Sequence, residues 1–303
     1  MGPHRTGLLF RTASAAMLGV WIAACGRAVS PAGGCVPGTQ DGQLLSGGQI
    51  RLYRLHVPPD YQPGRPAPLV IALHGQGGDA AGFESYSGLS VLADQADFIV
   101  VYPQGLGQLA GWDTWQASLD VQFIRDLLEG LEAGCSIDAH RIFATGHSRG
   151  GGMADRLGCD LADRVAAIAP VSGAYETAAA CSPARPVPVI AFHGRDDPVV
   201  FYNGFGPPGQ VHEAYFTIDT PIPQWAGGWA DRDGCSFPAQ TIAADTPLLG
   251  QAWGGCLGGA DVVLYTVEGG GHGWPGSPGE PAGDFSTGQM IWDFFSQHPL
   301  PAP

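Results

Sequence analysis

A single serine, Ser148, stands among glycines in the stretch ATGHSRGGG at residues 144–152. The strand-like run Arg141–Ala144 precedes it, and the helix-compatible run Met153–Leu157 follows it. A G-x-S-x-G motif on a sharp strand-to-helix turn presents the serine hydroxyl for nucleophilic attack, and its glycines remove side chains that would collide there. Because the motif is common by chance, nucleophilic catalysis is indicated only if a base and an orienting acid accompany the serine.

Both partners follow Ser148 in the chain, each just after an apolar strand-length run. Val187–Phe192 is followed by the acids Asp196 and Asp197, and Val262–Val267 is followed by His272 in a glycine-rich loop. Carboxyl ends of parallel strands meet at one edge of a sheet, so the three loops are expected to converge there. The order serine, aspartate, histidine predicts a catalytic triad.

Two backbone N–H groups are candidates for an oxyanion hole. The residue after the nucleophile, Arg149, supplies one, and Gln76 in the loop HGQGG (74–78) supplies the other because that loop follows the apolar run Leu69–Leu73. Such donors would stabilise the negative charge of a tetrahedral intermediate.

The remaining histidines at strand ends indicate structure rather than metal binding. His74 and His193 each precede a glycine, and we expect them to be turn and core residues. A three-histidine site with His272 lacks any H-x-H or H-E-x-x-H spacing to support it. The sequence therefore predicts no metal and no organic cofactor.

Three tryptophans are candidates for the wall of a substrate cleft. Trp274 lies two residues from the expected base, and Trp112 and Trp115 follow the second apolar strand. Flat aromatic faces suit stacking against sugars or phenolic rings. We expect Trp274 and Trp112 to bind substrate, against the alternative that they only pack.

Composition excludes several classes of function. The 303 residues are 45% hydrophobic, as in a globular protein, and carry a net charge of −14. An acidic surface repels phosphate backbones, so a nucleic-acid partner is not expected. The basic residues are all arginine, and the absence of lysine removes Schiff-base chemistry and a P-loop.

The N-terminus predicts export. Arg5 and Arg11 precede an apolar stretch at about 13–24 that is too short to span a bilayer and is typical of a signal peptide. It ends in Ile-Ala-Ala-Cys, so residues 1–24 are expected to be a lipoprotein-type signal peptide and Cys25 the lipidated residue. The alternative is cleavage of an ordinary signal peptide, in which case Cys25 has no role in processing.

The chain has seven cysteines. Lipidation of Cys25 would leave six, which is enough for three disulfides in an oxidising compartment.

Alternation of strand and helix patterns predicts one α/β domain over residues 47–303, preceded by a tether and N-terminal segment over 25–46. Ile50–Val57 alternates as an edge strand would, and helical spacing after residue 118 has Ser118 or Asp120 as its cap. Residues of about 203–260 are irregular and are expected to be an elaborated loop region.

Five segments resemble the secreted polyhydroxybutyrate depolymerase and feruloyl esterase family of α/β hydrolases, which includes acetylxylan esterases. They are PLVIALHGQGG (68–78), FIVVYPQG (98–105), RIFATGHSRGGGMADRLGCDLADRVAAIAPVSG (141–173), PVPVIAFHGRDDPVV (186–200) and VEGGGHGWPG (267–276). The resemblance implies the α/β-hydrolase fold, a mostly parallel central sheet flanked by helices. It also implies that Ser148 is the nucleophile and His272 the base, with Asp197 preferred to Asp196 as the acid because Pro-Val-Val follows it. His147, Arg149 and Gly273 depart from the family pattern, which puts the preference for leaving group and acyl group in doubt.

The resemblance further implies the disulfide pairing Cys235–Cys256 and Cys159–Cys181, with Cys35–Cys135 as the remaining pair. The expected activity is hydrolysis of feruloyl or acetyl esters of plant cell-wall polysaccharide by an exported serine esterase. Polyhydroxybutyrate oligomers are the alternative substrate, and an acyltransferase with the same triad is an alternative reaction. A non-catalytic glycan-binding surface protein is the alternative from another class. The expected partner is the ester substrate alone, with membrane contact only through the lipid on Cys25.

Overall fold

The computed structural model of the chain describes residues 1–2, 34–107, 111–115, 117–175, 181–204, 220–243, 247–281 and 284–301. Apart from residues 1 and 2, the expected signal peptide and Cys25 lie outside these ranges. Within them, no helix has both the length and the apolar character needed to cross a bilayer.

The described residues form a ten-stranded sheet with the order β1-β2-β4-β3-β5-β6-β7-β10-β9-β8. The strands are β1 (Gly38–Ser46), β2 (Gln49–Val57), β3 (Ala67–Leu73), β4 (Ile99–Pro103), β5 (Ile137–His147), β6 (Ala167–Val171), β7 (Val189–Gly194), β8 (Gln240–Ala243), β9 (Leu248–Trp253) and β10 (Val262–Val267). The six central strands, from β4 to β10 in that order, are parallel. Antiparallel pairs close both sides. The central strands are continuous apolar runs because helices cover both faces of the sheet.

In the described part of the chain, six α-helices form the two layers that cover the sheet. They are α1 (Ala80–Ser87), α2 (Leu89–Ala96), α3 (Leu119–Gly134), α4 (Arg149–Asp160), α5 (Ile222–Arg232) and α6 (Thr287–Gln297). One core lies under α3, α4 and α5 and includes Leu128, Leu157 and Trp229. The other lies under α1, α2 and α6 and includes Phe83 and Phe295. The layered arrangement is that of an α/β-hydrolase fold.

The sheet begins before residue 47, the position at which the sequence indicated the start of the domain. Strand β1 lies inside the segment 25–46 and pairs with β2 along its whole length, from Gly38 opposite Val57 to Ser46 opposite Gln49. β2 is therefore an interior strand rather than the expected edge strand. The half-exposed alternation that indicated an edge arises because the part of β2 near Gln49 extends beyond its pairing with β4.

The described residues of the region 203–260 are more regular than the sequence suggests. It contributes α5 and the antiparallel strands β8 and β9, which extend the sheet beyond β10. The sequence pattern that would indicate a strand is weak here because β8 is a short, exposed edge strand with no buried residue. Edge strands that pair on one side only lack the apolar run that marks a central strand.

Three disulfides join the described cysteines. They are Cys35–Cys135, Cys159–Cys181 and Cys235–Cys256. The first fixes the chain just before β1 to the end of α3. Disulfides of this number are usual in proteins of oxidising compartments.

Candidate active site

Ser148 lies on a strained turn between β5 and α4. Its backbone has φ 56° and ψ −120°, a conformation that residues with a side chain rarely adopt. The turn is held because the Ser148 N–H donates to Val171 O at 3.0 Å, and the N–H of Ala174 donates to Ser148 O at 3.0 Å. Gly146 and Gly150 are required here, since a Cβ on either would collide with the backbone carbonyl of Leu73.

A continuous run of hydrogen bonds leads from this serine to a carboxylate. His272 Nε2 lies 2.8 Å from Ser148 Oγ, and His272 Nδ1 lies 2.8 Å from Asp197 Oδ2. A carboxylate only accepts, so Nδ1 carries the hydrogen and Nε2 can accept the serine proton. Residues that are 124 and 75 positions apart meet because β5, β7 and β10 are parallel and end at one edge of the sheet.

Asp197 is buried and receives hydrogen bonds at both oxygens. The N–H groups of Val199 and Val200 each donate to Oδ1 at 2.8 Å. Burial would raise the pKa of Asp197, but the hydrogen bonds from His193 and His272 outweigh it and hold that pKa well below its usual value. Asp196, by contrast, is exposed and its side chain lies outside this network.

His193 contributes to the site in a way that the sequence analysis missed. It is fully buried, as a core residue would be, but its Nε2 lies 3.3 Å from Asp197 Oδ2 and 2.9 Å from Val200 O. Since a carbonyl only accepts, Nε2 carries the hydrogen and is shared between the two oxygens. The spacing of four residues from His193, near the end of β7, to Asp197 in the loop that follows is the signal that could have indicated this contact.

His147, which precedes the serine, packs against the expected base. Its ring lies 5.0 Å from the ring of His272 and makes an edge contact with Tyr86 at 5.7 Å. Burial, followed by the neighbouring His272 imidazole, lowers the pKa of His147 to about 4. A neutral ring at this position adds no positive charge beside His272 at neutral pH.

The loop that contains Gln76 lies against the turn at Ser148. A Cβ on Gly75 would stand 3.3 Å from Ser148 Cβ, so the two loops are in close contact. His74 stabilises this loop through two hydrogen bonds. Its Nδ1 donates to Gly75 O at 2.7 Å, and its Nε2 accepts from the Gly105 N–H at 2.9 Å. The structure thus brings the Gln76 loop and the N-terminus of α4, which begins at Arg149, to one place beside Ser148.

Trp112 and Trp274 are both buried, at 3% and 4% exposure, but in different surroundings. Trp274 packs edge-on against Phe83 at 5.8 Å in the core under α1. The backbone N–H of Trp274 donates to Tyr86 Oη at 2.8 Å. Trp112 donates from its indole to His74 O at 2.8 Å and lines an open groove of about 760 Å³.

Among the described residues, no group of three or more histidine, cysteine, aspartate or glutamate side chains is arranged to hold a metal ion. His74 and His193 are engaged with Gly75, Gly105, Val200 and Asp197 as set out above.

Comparison with known proteins shows the family of the chain. No protein-family model matches the chain. Feruloyl esterase B of Piromyces equi is 34% identical over 258 residues, which are 80% of this chain and 44% of that protein. The chain thus spans less than half of that relative. Feruloyl esterase C of Emericella nidulans is 32% identical over 212 residues, which are 64% of this chain and 75% of that protein.

The fold has a counterpart of known structure as well. The acetyl xylan esterase from Aspergillus awamori superposes with a TM-score of 0.61 at 17% identity, covering 85% of this chain and 99% of that one. At that identity the likeness shows the fold alone. Feruloyl esterase B, which is 34% identical over 80% of this chain, shows that the chain belongs to the feruloyl esterase family, a family of carboxylic ester hydrolases, with the fold of an α/β hydrolase.

Proposed function

We propose that the chain is an exported serine esterase that cleaves esters through an acyl-enzyme, with Ser148 as nucleophile, His272 as general base and Asp197 as orienting acid. The observation that carries this proposal is the unbroken hydrogen-bonded run from Ser148 Oγ through His272 to Asp197, on a turn that displays the serine. The position of each group fits the role that the triad chemistry requires.

In acylation, Ser148 Oγ attacks the ester carbonyl carbon while its proton passes to His272 Nε2. The carbonyl oxygen becomes an oxyanion, for which the N–H groups of Gln76 and Arg149 are the proposed donors. His272 then gives the proton to the departing alcohol oxygen as the carbon–oxygen bond breaks. Water repeats the sequence on the acyl-enzyme, which releases the acid and restores Ser148.

Removal of the Ser148 hydroxyl tests the proposed nucleophile directly. Ser148→Ala should abolish labelling by a fluorophosphonate probe and lower kcat by several orders of magnitude, because a triad acts as a unit. Ser85→Ala is the matched control, since Ser85 is an exposed serine whose Oγ bonds only within α1. Labelling that persists in Ser148→Ala would contradict the proposal.

The proposed substrates are feruloyl or acetyl esters of plant cell-wall polysaccharide. The names of the related feruloyl esterases and of the structurally similar acetyl xylan esterase support this class. Values of kcat/KM for methyl ferulate, an acetylated xylo-oligosaccharide and a hydroxybutyrate oligomer decide between the classes. A clear preference for the hydroxybutyrate oligomer would overturn the proposed substrate and leave the esterase chemistry intact.

Export and anchoring form part of the same proposal. Residues 1–24 act as the signal peptide, Cys25 carries the lipid, and a single catalytic domain begins at about Cys35, where the first disulfide starts. The three disulfides support an oxidising compartment. Expression in a bacterial host should yield a membrane-associated protein that becomes soluble in Cys25→Ser. Wild-type protein found only in the soluble fraction would refute the anchor.

A further inference from the structure

The loop that carries the proposed base is rich in glycine. Of the residues from 269 to 273, all are glycine except His272. Glycine leaves the backbone free to adopt many conformations, so such a loop has little stiffness of its own. His272 nevertheless has to reach Ser148 on one side and Asp197 on the other, each at 2.8 Å. Because a displacement of about 1 Å can lower the rate of a positioned reaction about a hundredfold, contacts from outside the loop have to fix it.

Glu280 holds the backbone just before His272. Its Oε2 accepts from the N–H of Gly271 at 3.0 Å. A backbone N–H that donates to a carboxylate makes a charge-assisted hydrogen bond, which is stronger than one between neutral groups. Two turns bring Glu280 back to the loop: the Ser277 N–H donates to Trp274 O at 2.9 Å, and the Glu280 N–H donates to Ser277 O at 3.1 Å.

The same carboxyl group occupies the space beside Gly273, the residue just after His272. A Cβ on Gly273 would overlap with Oε1 and Cδ of Glu280, whereas a Cβ on Gly271 would stand at an ordinary 3.5 Å from the same Oε1. Gly273 has no positive φ, so its backbone alone would accept alanine. Glycine is therefore required at position 273 by the place of the Glu280 side chain.

Other hydrogen bonds to this loop are of a different kind. Ser172 Oγ donates to Gly273 O at 2.9 Å, and the Asp196 N–H donates to Gly270 O at 2.9 Å. Both hold carbonyl oxygens. Glu280 instead binds an N–H group and packs on the next glycine, so it contacts the chain on both sides of His272.

On the basis of the proposed function, we propose that Glu280 is a positioning residue for the general base: its carboxylate fixes the backbone on both sides of His272 and keeps the imidazole within reach of Ser148 and Asp197. Glu280 acts through the loop and not on the substrate. Gly273 and Glu280 form one unit, because a side chain at position 273 would displace the carboxylate from the Gly271 N–H.

Steady-state hydrolysis of 4-nitrophenyl acetate tests this role. In Glu280→Ala, kcat should fall about tenfold with KM within about twofold of wild type, because the base loses alignment while no group that binds substrate is removed. Glu280→Gln should recover most of the loss, since its amide oxygen can still accept from the Gly271 N–H. Glu268→Ala is the matched control: Glu268 begins the same loop, but its carboxylate bonds to Arg195 at the surface, at 2.8 Å.

A second substitution tests the packing of Glu280 against Gly273. Gly273→Ala should also lower kcat about tenfold, because the new methyl group pushes the carboxylate away from Gly271. The double variant Gly273→Ala/Glu280→Ala should be no slower than either single variant, since the carboxylate is already absent. Independent effects would multiply to a loss of about a hundredfold, and that result would overturn the proposal.

Two further measurements separate positioning from other effects. The proton on His272 Nδ1 gives a low-field NMR resonance that reports the alignment of the ring with Asp197; it should shift or broaden in Glu280→Ala and keep its wild-type position in Glu280→Gln. A Glu280→Ala protein with a lower melting temperature but wild-type kcat and resonance would overturn the proposal. Fluorophosphonate labelling of wild-type Ser148 reports on the esterase itself, so a labelled wild type with unaffected Glu280→Ala kinetics refutes the positioning role alone.

Discussion

Replacement of His193 tests how Asp197, the proposed orienting acid, is kept in place. Asp197 Oδ2 accepts from both His272 and His193, at 2.8 Å and 3.3 Å. His193→Ala removes the second donor without touching the groove, since His193 is fully buried. His193→Gln is the matched control, because its amide can still donate a hydrogen from a similar position.

The size of the effect follows from the geometry. A hydrogen bond to a charged group contributes about 1.5–3 kcal/mol. The contact from His193 is long and its hydrogen is shared with Val200 O, so we take the lower end, about 1.5 kcal/mol. At about 1.4 kcal/mol for each factor of ten, kcat should fall by about tenfold.

The assay is steady-state hydrolysis at a temperature well below the melting temperature of each variant, measured separately. In His193→Ala, kcat should fall about tenfold with KM unchanged, and His193→Gln should recover most of the loss. A purely structural role would lower the melting temperature of His193→Ala and leave kcat per folded molecule at its wild-type value. That result would refute the reasoning.

Two further predictions concern other carboxylates. Asp197→Asn should lower kcat by about 10⁴-fold, as loss of the orienting acid does in a triad, whereas Asp196→Asn, at an exposed neighbour, should leave kcat within about threefold; equal losses would contradict the assignment of the acid. Burial raises the pKa of Asp233 to about 7, although the hydrogen bond from the Val187 N–H and the charge of Arg185 lower it. The folded state therefore binds more protons than the unfolded state from about pH 4 to 7. Its free energy of unfolding falls as the pH rises through that window. Asp233→Asn should therefore be more stable than wild type at pH 8, by up to about 4 kcal/mol at 1.36 kcal/mol per pKa unit, with the gain shrinking towards pH 4; a denaturation series with the same difference at both pH values would count against it.

The central part of the fold could be predicted from sequence because its signals are local. Buried parallel strands are continuous apolar runs, and β10 begins and ends at the residues that its pattern indicates, Val262 and Val267. The cap of α3 is also local: of the two candidates, Ser118 accepts from the Val121 N–H, and Asp120 instead pairs with Arg51. Helices α1 and α2, with low or mixed amphipathic character, gave no comparable signal.

The strands at the edges of the sheet and the burial of the tryptophans could be decided only by the tertiary structure. β1 and β8 have short or half-exposed patterns, and only their pairing partners make them strands. Trp274 and Trp115 both lie outside the helices and strands, yet one is buried and the other is 63% exposed. Burial of a large side chain depends on what packs over it, which no local window contains.

For the site, the sequence determined which residue types follow which strands, and hence the order serine, aspartate, histidine. The glycines around Ser148 can be read from the sequence, but the close contact that requires them, with the backbone carbonyl of Leu73, forms only in the folded chain. The sequence did not determine the distances within the site. The contact of His193 with Asp197 and the side of Ser148 on which the groove opens are set by the order of strands in the sheet. That order results from long-range pairing, so only the folded chain decides it.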